Sequence, residues 1–421
     1  MERRFAVRYE ELMAEAEVKP EALEGVLKRL DEFVMPFAAS LKHDAQRQHA
    51  AEYVAGLVSN IKRKNIESIA YLHENDRQPL QKFIGQKPWE WAPMIDELAE
   101  QVGASLGRAD GVLVIDPSGV LKQGKASVGV ARQWCGRAGK VDNCQVGIYM
   151  AYVARDEHAL VDARLYLPKE WTNDRKRCRR AGIPKEIAFR TRHELALEMI
   201  CRHRAALPHA WVTGDDEMGR NSGFRDELRA MNERYLLAVP SNTLVRDLDA
   251  VPPPYSGRGT PPKVPFQRAD GWMETAKNWT RIEVRPGEKG PLVVEAVKAR
   301  VQTKRGRRNG PEETLVIFRE RQGRKIVKHD YALSDAPFET PLREFARVLN
   351  AEHRVEECLR RAKGESGLAQ YQVRTWRGWH HHQTLTLIAT WFLTQEKRRG
   401  GKGGAVSLGS GGALHHWPTA A

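Results

Sequence analysis

The sequence predicts a mixed α/β protein with a helical region in front and a β-rich segment inserted late. Three observations predict it. Two short apolar strands each run into an aspartate: Val112-Leu113-Val114-Ile115 into Asp116, and Ala210-Trp211-Val212-Thr213 into Gly214-Asp215. Helical spacing of apolar residues dominates before the first strand and returns from about residue 338. Between 241 and 335 that spacing gives way to alternating β-type stretches and to nine of the 22 prolines.

Residues 1–109 read as helices, with apolar positions at Leu23, Leu27, Leu30, Phe33 and Val34 and again at Ala51, Val54, Leu57, Val58 and Ile61. This predicts a helical domain with its own small core, followed by the basic run Lys62-Arg63-Lys64-Asn65. From 110 to 240 the pattern is α/β. A strand ends at Asp116, β-like stretches follow at 144–153 and 159–166, and a helix covers about 192–206. The second aspartate strand, a short helix after Gly223 and the strand Tyr235–Val239 complete a mixed sheet. The 241–335 segment contains Leu292–Val297 and Thr314–Phe318 as strands and the basic loop Lys304-Arg305-Gly306-Arg307-Arg308. Helices are expected at about 338–363 and 379–396, so 336–397 returns to the core, and the Gly/Ser-rich tail 398–421 is expected to be disordered.

Composition narrows the partners. A chain of 421 residues with 41% hydrophobic residues and 11 tryptophans can fill globular cores, which excludes wholesale disorder. A net charge of +14 and a pI near 9.6 favour an acidic partner, and nucleic acid is the default. The charge is unevenly spread: −3 over residues 1–109, +7 over 241–335 and +6 over 340–421. Five cysteines (Cys135, Cys144, Cys178, Cys201, Cys358) form no CxxC pair, which argues against a disulfide framework or a structural zinc site. The N-terminus is charged throughout, unlike a signal peptide, and the apolar stretch Thr384–Leu393 is too short for a membrane span. A soluble intracellular protein is expected.

Strand-end aspartates joined by a glutamate on a later helix suit divalent cations, which are hard ions and take oxygen ligands from rigid elements. Two such ions can clamp the attacking and leaving oxygens of a phosphodiester displacement, so the chemistry indicated is that of a nuclease or strand-transfer enzyme. Asp116 could instead cap a turn with Pro117-Ser118-Gly119. Asp215 lies directly beyond its strand, with Asp216 as the alternative. On the helix near 338–363, Val348, Val355, Leu359 and Ala362 form one apolar stripe, with Phe345 at its edge. At about 100° per residue, Glu356 lies about 80° and Lys363 about 60° from Val348, whereas Glu357 lies about 180° away. Glu356 is therefore the candidate third carboxylate, and Lys363 the candidate phosphate contact. The bland alternative makes Glu356 an exposed partner of Arg360.

Other motifs carry less. Gly119–Lys125 resembles a phosphate-cradling loop, but Ala126 stands where a Ser or Thr would hold magnesium. His380-His381-His382 cannot all face one metal and suit a polar face or phosphate contact. Arg374, Trp376, Arg377 and Trp379 interleave cations and aromatics, which suits stacking on nucleic acid or packing under a helix. Trp272 and Trp279 could stack on a displaced base or fill a core.

One long block runs Val114-Ile115-Asp116, Lys122-Gln123-Gly124, Ser127 to Gly136, Gly139-Lys140 and Asn143 to Val146. It resembles bacterial insertion-sequence transposases of the DDE type, in particular insertion-sequence family 701. Gly367 to Trp379 and Tyr53–Ile69 resemble the same family. The resemblance implies a ribonuclease-H-like mixed-sheet catalytic core, a β-rich insertion before the catalytic helix, and cut-and-paste DNA transposition at terminal inverted repeats. Carried over by position, the triad is Asp116, Asp215 and Glu356, with Lys363 seven residues after the glutamate. The signature has an arginine four residues before that glutamate, where this chain has Glu352 with Arg354 nearby. After the second aspartate it often has a small residue and an aromatic before Gly, where this chain reads Asp215-Asp216-Glu217-Met218-Gly219.

The expectations that follow are two Mg2+ ions (Mn2+ as a substitute), double-stranded DNA at element ends and target, a homodimer on DNA, no membrane, and a bacterial cytoplasmic, nucleoid-associated setting. The expected DNA contacts are Lys62, Arg63, Lys64, Lys122, Lys125, Arg132, Lys304, Arg305, Arg307, Arg308, Arg360, Lys363, Arg374 and Arg377. The alternatives are a transposase-derived DNA-binding protein without chemistry, and a structure-selective nuclease that never joins ends.

Overall fold

Why the site forms where it does follows from one strand. In the computed structural model, which describes residues 20–257, 259–285, 292–322 and 325–399, β1 (Val112–Leu121) is an interior strand of a large mixed sheet. Its first four residues are wholly buried, as a continuous β-branched and leucine run requires of a central strand. On one side β1 pairs antiparallel with β3 (Lys140–Ala154). The outer edge of β3 is shared by β2 (Ala131–Cys135) and β4 (Glu157–Leu165). On the other side β5 (Trp211–Gly214) is parallel to β1, and β6 (Tyr235–Ala238) is parallel to β5. This is the mixed core expected of a ribonuclease-H-like nuclease.

The first strand does not end at Asp116, as its Pro-Ser-Gly sequel suggested; it continues through Pro117 to Leu121, paired with β3 throughout. The β5 ladder stops at Ile115–Gly214. Beyond that point β1 has an open edge, where a proline lacking an N–H is tolerated.

Helices precede and wrap this sheet. In chain order they are α1 (Pro20–Ala38), α2 (Asp44–Val58), α3 (Ile66–Leu72), α4 (Arg77–Gly85) and α5 (Ala92–Leu106), then α6 (Lys169–Thr172), α7 (Arg175–Arg180) and α8 (Arg192–His203). After β5 come α9 (Asp216–Gly219) and α10 (Ser222–Ala230). Start signals are read locally: Asn65, Asp76, Asp174 and Asn221 each accept a backbone N–H in the first turn of their helices, and Thr191 with Glu194 forms a capping box on α8. Gly219 is needed at the end of α9, because a Cβ there would come within 1.8 Å of the Ala238 carbonyl on β6.

The 241–335 segment is not a separate body. It contributes β7 (Leu244–Asp247), β8 (Gln267–Arg268), α11 (Ala269–Thr275), β9 (Thr280–Arg285), β10 (Leu292–Arg305), β11 (Arg308–Gln322) and β12 (Lys325–Ser334). Of these, β12 pairs antiparallel with β6, so the core sheet runs on into β11, β10, β7 and β8. One face builds a second apolar cluster from Val239, Val245, Trp272, Val301, Leu315 and Leu333. Trp272 is buried with its Nε1 donating to Asp247 Oδ2 at 2.8 Å, and the Trp279 ring lies 3.9 Å under the Arg319 guanidinium. Both indoles are thus part of the fold, so the stacking role considered for them is not supported.

Two long helices close the molecule, α12 (Leu342–Glu365) and α13 (Trp376–Arg399). The stripe expected on α12 is buried: Phe345, Val348, Val355, Leu359 and Ala362. The helix rests on β1, β4 and β5 of the core and on β9 and β10 of the inserted part. Arg398 and Arg399, expected in the tail, are the last residues of α13, and the rest of the tail lies outside the described residues.

α13 is buried on nearly every side, so its polar residues need partners. They find them among the N-terminal helices. His381 Nδ1 and Nε2 lie 2.9 and 3.0 Å from the Ile84 and Trp89 carbonyls, and its ring stacks on Trp89 at 3.6 Å. His382 Nδ1 is 2.8 Å from the Tyr53 hydroxyl, and His380 stacks on Trp91. Burial pushes all three imidazoles well down, to about 3, 4 and 3 for His380, His381 and His382. The triple histidine is therefore core, not a polar face. For the same reason residues 20–109 do not close a core of their own: Leu30, Val54, Leu98, Trp379 and Phe392 belong to one cluster with the sheet.

Candidate active site

Register alone brings the two aspartates together. Val112 pairs with Trp211 and Ile115 with Gly214, so Asp116 and Asp215 are the next residues on adjacent parallel strands and point to the same face. Asp215 also caps α9, its Oδ1 accepting the Met218 N–H at 3.1 Å. Asp216 turns outward to Arg220 at 2.6 Å, and Glu217 to Arg192 at 2.7 Å. Of the two adjacent aspartates, it is Asp215 that faces Asp116.

Electrostatics at this pair is strained. Burial disfavours the ionised form of each carboxyl, and a like charge nearby disfavours it further. Asp116 is accordingly raised to about 7, first by burial and then by the Asp215 charge, with Lys363 opposing. Asp215 is raised to about 6, chiefly by burial. Lys363 Nζ donates to Ser118 Oγ at 2.6 Å, two residues along β1 on the same face as Asp116.

The α12 carboxylates are arranged differently from the helical-wheel expectation. Glu352 is the inward one. It is raised to about 8 by burial and then by Asp215, Glu356 and Asp116. Glu356 lies one turn later at the mouth of the groove, its side chain 67% exposed, with Oε2 4.0 Å from His353 Nδ1. The neighbouring His353 holds its carboxyl below the ordinary range, yet its charge still reaches Asp116. Arg360 turns to Glu357 at 3.9 Å and does not pair with Glu356. Arg354 is committed to Asp156 in the β3–β4 turn. Sequence reasoning passed over Glu352, although at four residues from Val348 it lies on the stripe that α12 buries.

These residues fit divalent cations chemically: hard oxygen donors, withdrawn from solvent and short of positive charge. Among the described residues, however, no three His, Cys, Asp or Glu side chains converge closely enough to hold an ion. The two aspartates are in place, and Glu356 stands off from them at the rim.

Linkage makes this testable. A carboxyl raised in the folded state stabilises the fold below its unfolded value, near pH 4, and that contribution is lost as pH rises through about 6 to 8. Magnesium should therefore stabilise the chain more as pH rises, by about 1–3 kcal/mol at 10–100 times its dissociation constant. Thermal unfolding with and without magnesium at about pH 6 and pH 8.5 checks this. The buried histidines and Lys64 contribute equally to both arms and cancel in the difference. An increment that is equal at the two pH values would separate magnesium from these carboxyls.

Several expected DNA contacts are structural. Lys64 is buried, its Nζ donating to the Leu57 carbonyl at 2.8 Å, and burial lowers it to about 7. Lys122 Nζ donates to the Tyr371 carbonyl at 2.9 Å and sits over that ring, lowered by burial to about 8. Arg305 is drawn to Asp226 on α10, tying the β10–β11 turn down. Trp376 and Trp379 are buried in the core while Arg374 and Arg377 remain exposed. Lys62, Arg63, Lys125, Arg132, Lys304, Arg307, Arg308 and Arg360 are exposed. A cavity of about 550 Å³ between α10 and the β7–β10 strands lies apart from the carboxylates, and its arginines Arg220 and Arg225 already pair with Asp216 and Glu313.

A ribonuclease-H-like sheet with paired aspartates and a carboxylate-bearing helix across them defines a class of DNA-processing nuclease, and the comparisons agree. The chain belongs to the DDE superfamily endonucleases, which it matches over residues 36–291, including Asp116 and Asp215. It is also similar to the probable transposase for insertion sequence element IS701 of Microchaete diplosiphon, at 25% identity over 364 residues, covering 85% of this chain and 84% of that protein. The resemblance read from the Val114–Val146 block is borne out. No helix among the described residues is long and apolar enough to cross a membrane.

Proposed function

We propose that this chain is a transposase that cleaves DNA at the ends of an insertion sequence and transfers the freed ends to a target. Asp116, Asp215 and Glu356 would hold two magnesium ions, with manganese as a substitute. The observation that carries the reading is the side-by-side placement of Asp116 and Asp215 beneath α12. When bound, such ions stabilise charge on the attacking and leaving oxygens of a phosphodiester. Asp116 and Asp215 are held rigidly by strand register and the α9 cap. Glu356, at the rim beside His353, would complete the ligand set. Lys363, anchored at Ser118, is placed to steady a phosphate beside Asp116. Exposed Lys304, Arg307 and Arg308 at the β10–β11 turn, with Arg374 and Arg377, supply positive surface for duplex. A homodimer would hold the two element ends together.

The test is a nicking and strand-transfer assay on duplexes carrying the terminal sequences that flank the gene, in magnesium, in manganese and in chelator. Metal-dependent cuts at the element boundary followed by joined products are expected. Specific binding without cleavage would favour the non-catalytic alternative, and cleavage without joining the nuclease.

A further inference from the structure

The β2–β3 hairpin carries an aromatic that the fold does not use. Trp134 is 56% exposed and its cross-strand neighbour Val141 51% exposed, whereas Trp171, Trp211, Trp379 and Trp391 are fully buried. Among the described residues the Trp134 indole has no hydrogen-bond or ring partner, although its backbone is held in the β2–β3 ladder. Leaving a large indole in water on an edge strand forgoes much of its burial free energy, so its presence there points to a partner.

Register fixes the direction it faces. Asp116 pairs with Tyr149, Ser118 with Gly147 and Val120 with Gln145; further along, Arg132 pairs with Asn143 and Trp134 with Val141. Because successive side chains alternate, Trp134, Val141 and Arg132 stand on the same sheet face as Asp116 and Ser118. Val141 and Tyr149 are eight residues apart on β3, roughly 26 Å at a rise of about 3.3 Å. Asn143 Nδ2 donates to the Lys122 and Gly124 carbonyls at 2.6 and 2.8 Å, which brings the exposed Lys125 to the same corner as Arg132.

We infer that this corner is a second DNA contact, in which Trp134 packs into a groove of the duplex flanking the cut while Arg132 and Lys125 meet phosphates. The inference rests on the DNA-cleaving reading above and adds a surface to it. An apolar side chain flanked by cations, on the catalytic face and about eight base pairs from the reacting phosphate at roughly 3.4 Å per step, matches how groove-inserting residues bind DNA.

The experiment uses the full chain in chelator, so that no cleavage intervenes, and measures anisotropy of labelled element-end duplexes. One duplex extends about 15 base pairs on both sides of the boundary, the other about four. Trp134→Ala should weaken binding to the long duplex about tenfold and to the short one less than twofold, while Trp134→Phe stays within about threefold of the parent on both. Arg132→Ala should lower the salt slope on the long duplex by about 0.9. Unchanged affinity of Trp134→Ala for the long duplex overturns the inference, as does an equal loss on both duplexes. So does a change in sedimentation from dimer to monomer without loss of DNA affinity, which would make the corner a contact between copies. If the unsubstituted protein ignores element-end DNA, the cleavage reading itself fails, a result distinct from any of these.

Discussion

Asp116→Asn is expected to lower strand cleavage by at least about a thousandfold while leaving affinity for element-end DNA within about twofold. The side chain keeps its shape, so the β1–β3 ladder and the Asp116–Tyr149 pairing persist. What is lost is a charged ligand facing Asp215, and removing one preorganised electrostatic group at a reacting centre costs on the order of 10²–10³ in rate. In the proposed two-ion site the loss of Asp116 should lie at the upper end or beyond. Exposed cations on the inserted turn and around Arg374 are untouched, so binding survives. Gel shifts beside a magnesium nicking assay read both quantities. Cleavage within tenfold of the parent would take Asp116 out of the mechanism.

The second large effect separates the two α12 glutamates. Glu356→Gln should abolish cleavage to a similar degree, because in the proposed site this carboxylate, held below the ordinary range by His353, would supply the third ligand. Glu352→Gln should cost no more than about tenfold and should raise the thermal midpoint of the metal-free protein at pH above about 8, since it removes a carboxyl that burial and four neighbouring charges disfavour. Paired cleavage rates and melting curves in chelator check both. If Glu352→Gln is the dead variant and Glu356→Gln the active one, the third ligand is Glu352, and the resemblance has been carried over one helical turn too late.

The sequence and the structure part company at instructive places. Apolar runs ending in aspartate located both strands, because an interior strand must be buried on both faces. The α12 stripe was legible from spacing, and so was the inward position of Glu352, four residues after Val348. In the sequence Glu352 reads only as a departure from the arginine of the signature, because the seven-residue spacing to Lys363 selects Glu356. Pro117 disguised the continuation of β1, since local turn chemistry cannot reveal that the neighbouring strand stops first. Lys64 and the triple histidine looked like surface features because a sequence shows charge and polarity but not which helix will cover them. The partner of His381 is the carbonyl of Ile84, nearly three hundred positions earlier, and no local pattern encodes that contact.

The joining of β12 to β6, with α12 lying across both the core strands and β9–β10, has a consequence for modularity. The inserted strands cannot be treated as a cassette to be excised, exchanged or lengthened at will. Cutting the chain at 241 and 335 would bare the hydrogen-bonding edge of β6 and withdraw the β9–β10 part of the floor on which the glutamate-bearing helix rests. Changes within the inserted strands would accordingly tilt α12 against Asp116 and Asp215, so selection for DNA recognition in that region and selection for catalysis would act on one shared piece of architecture.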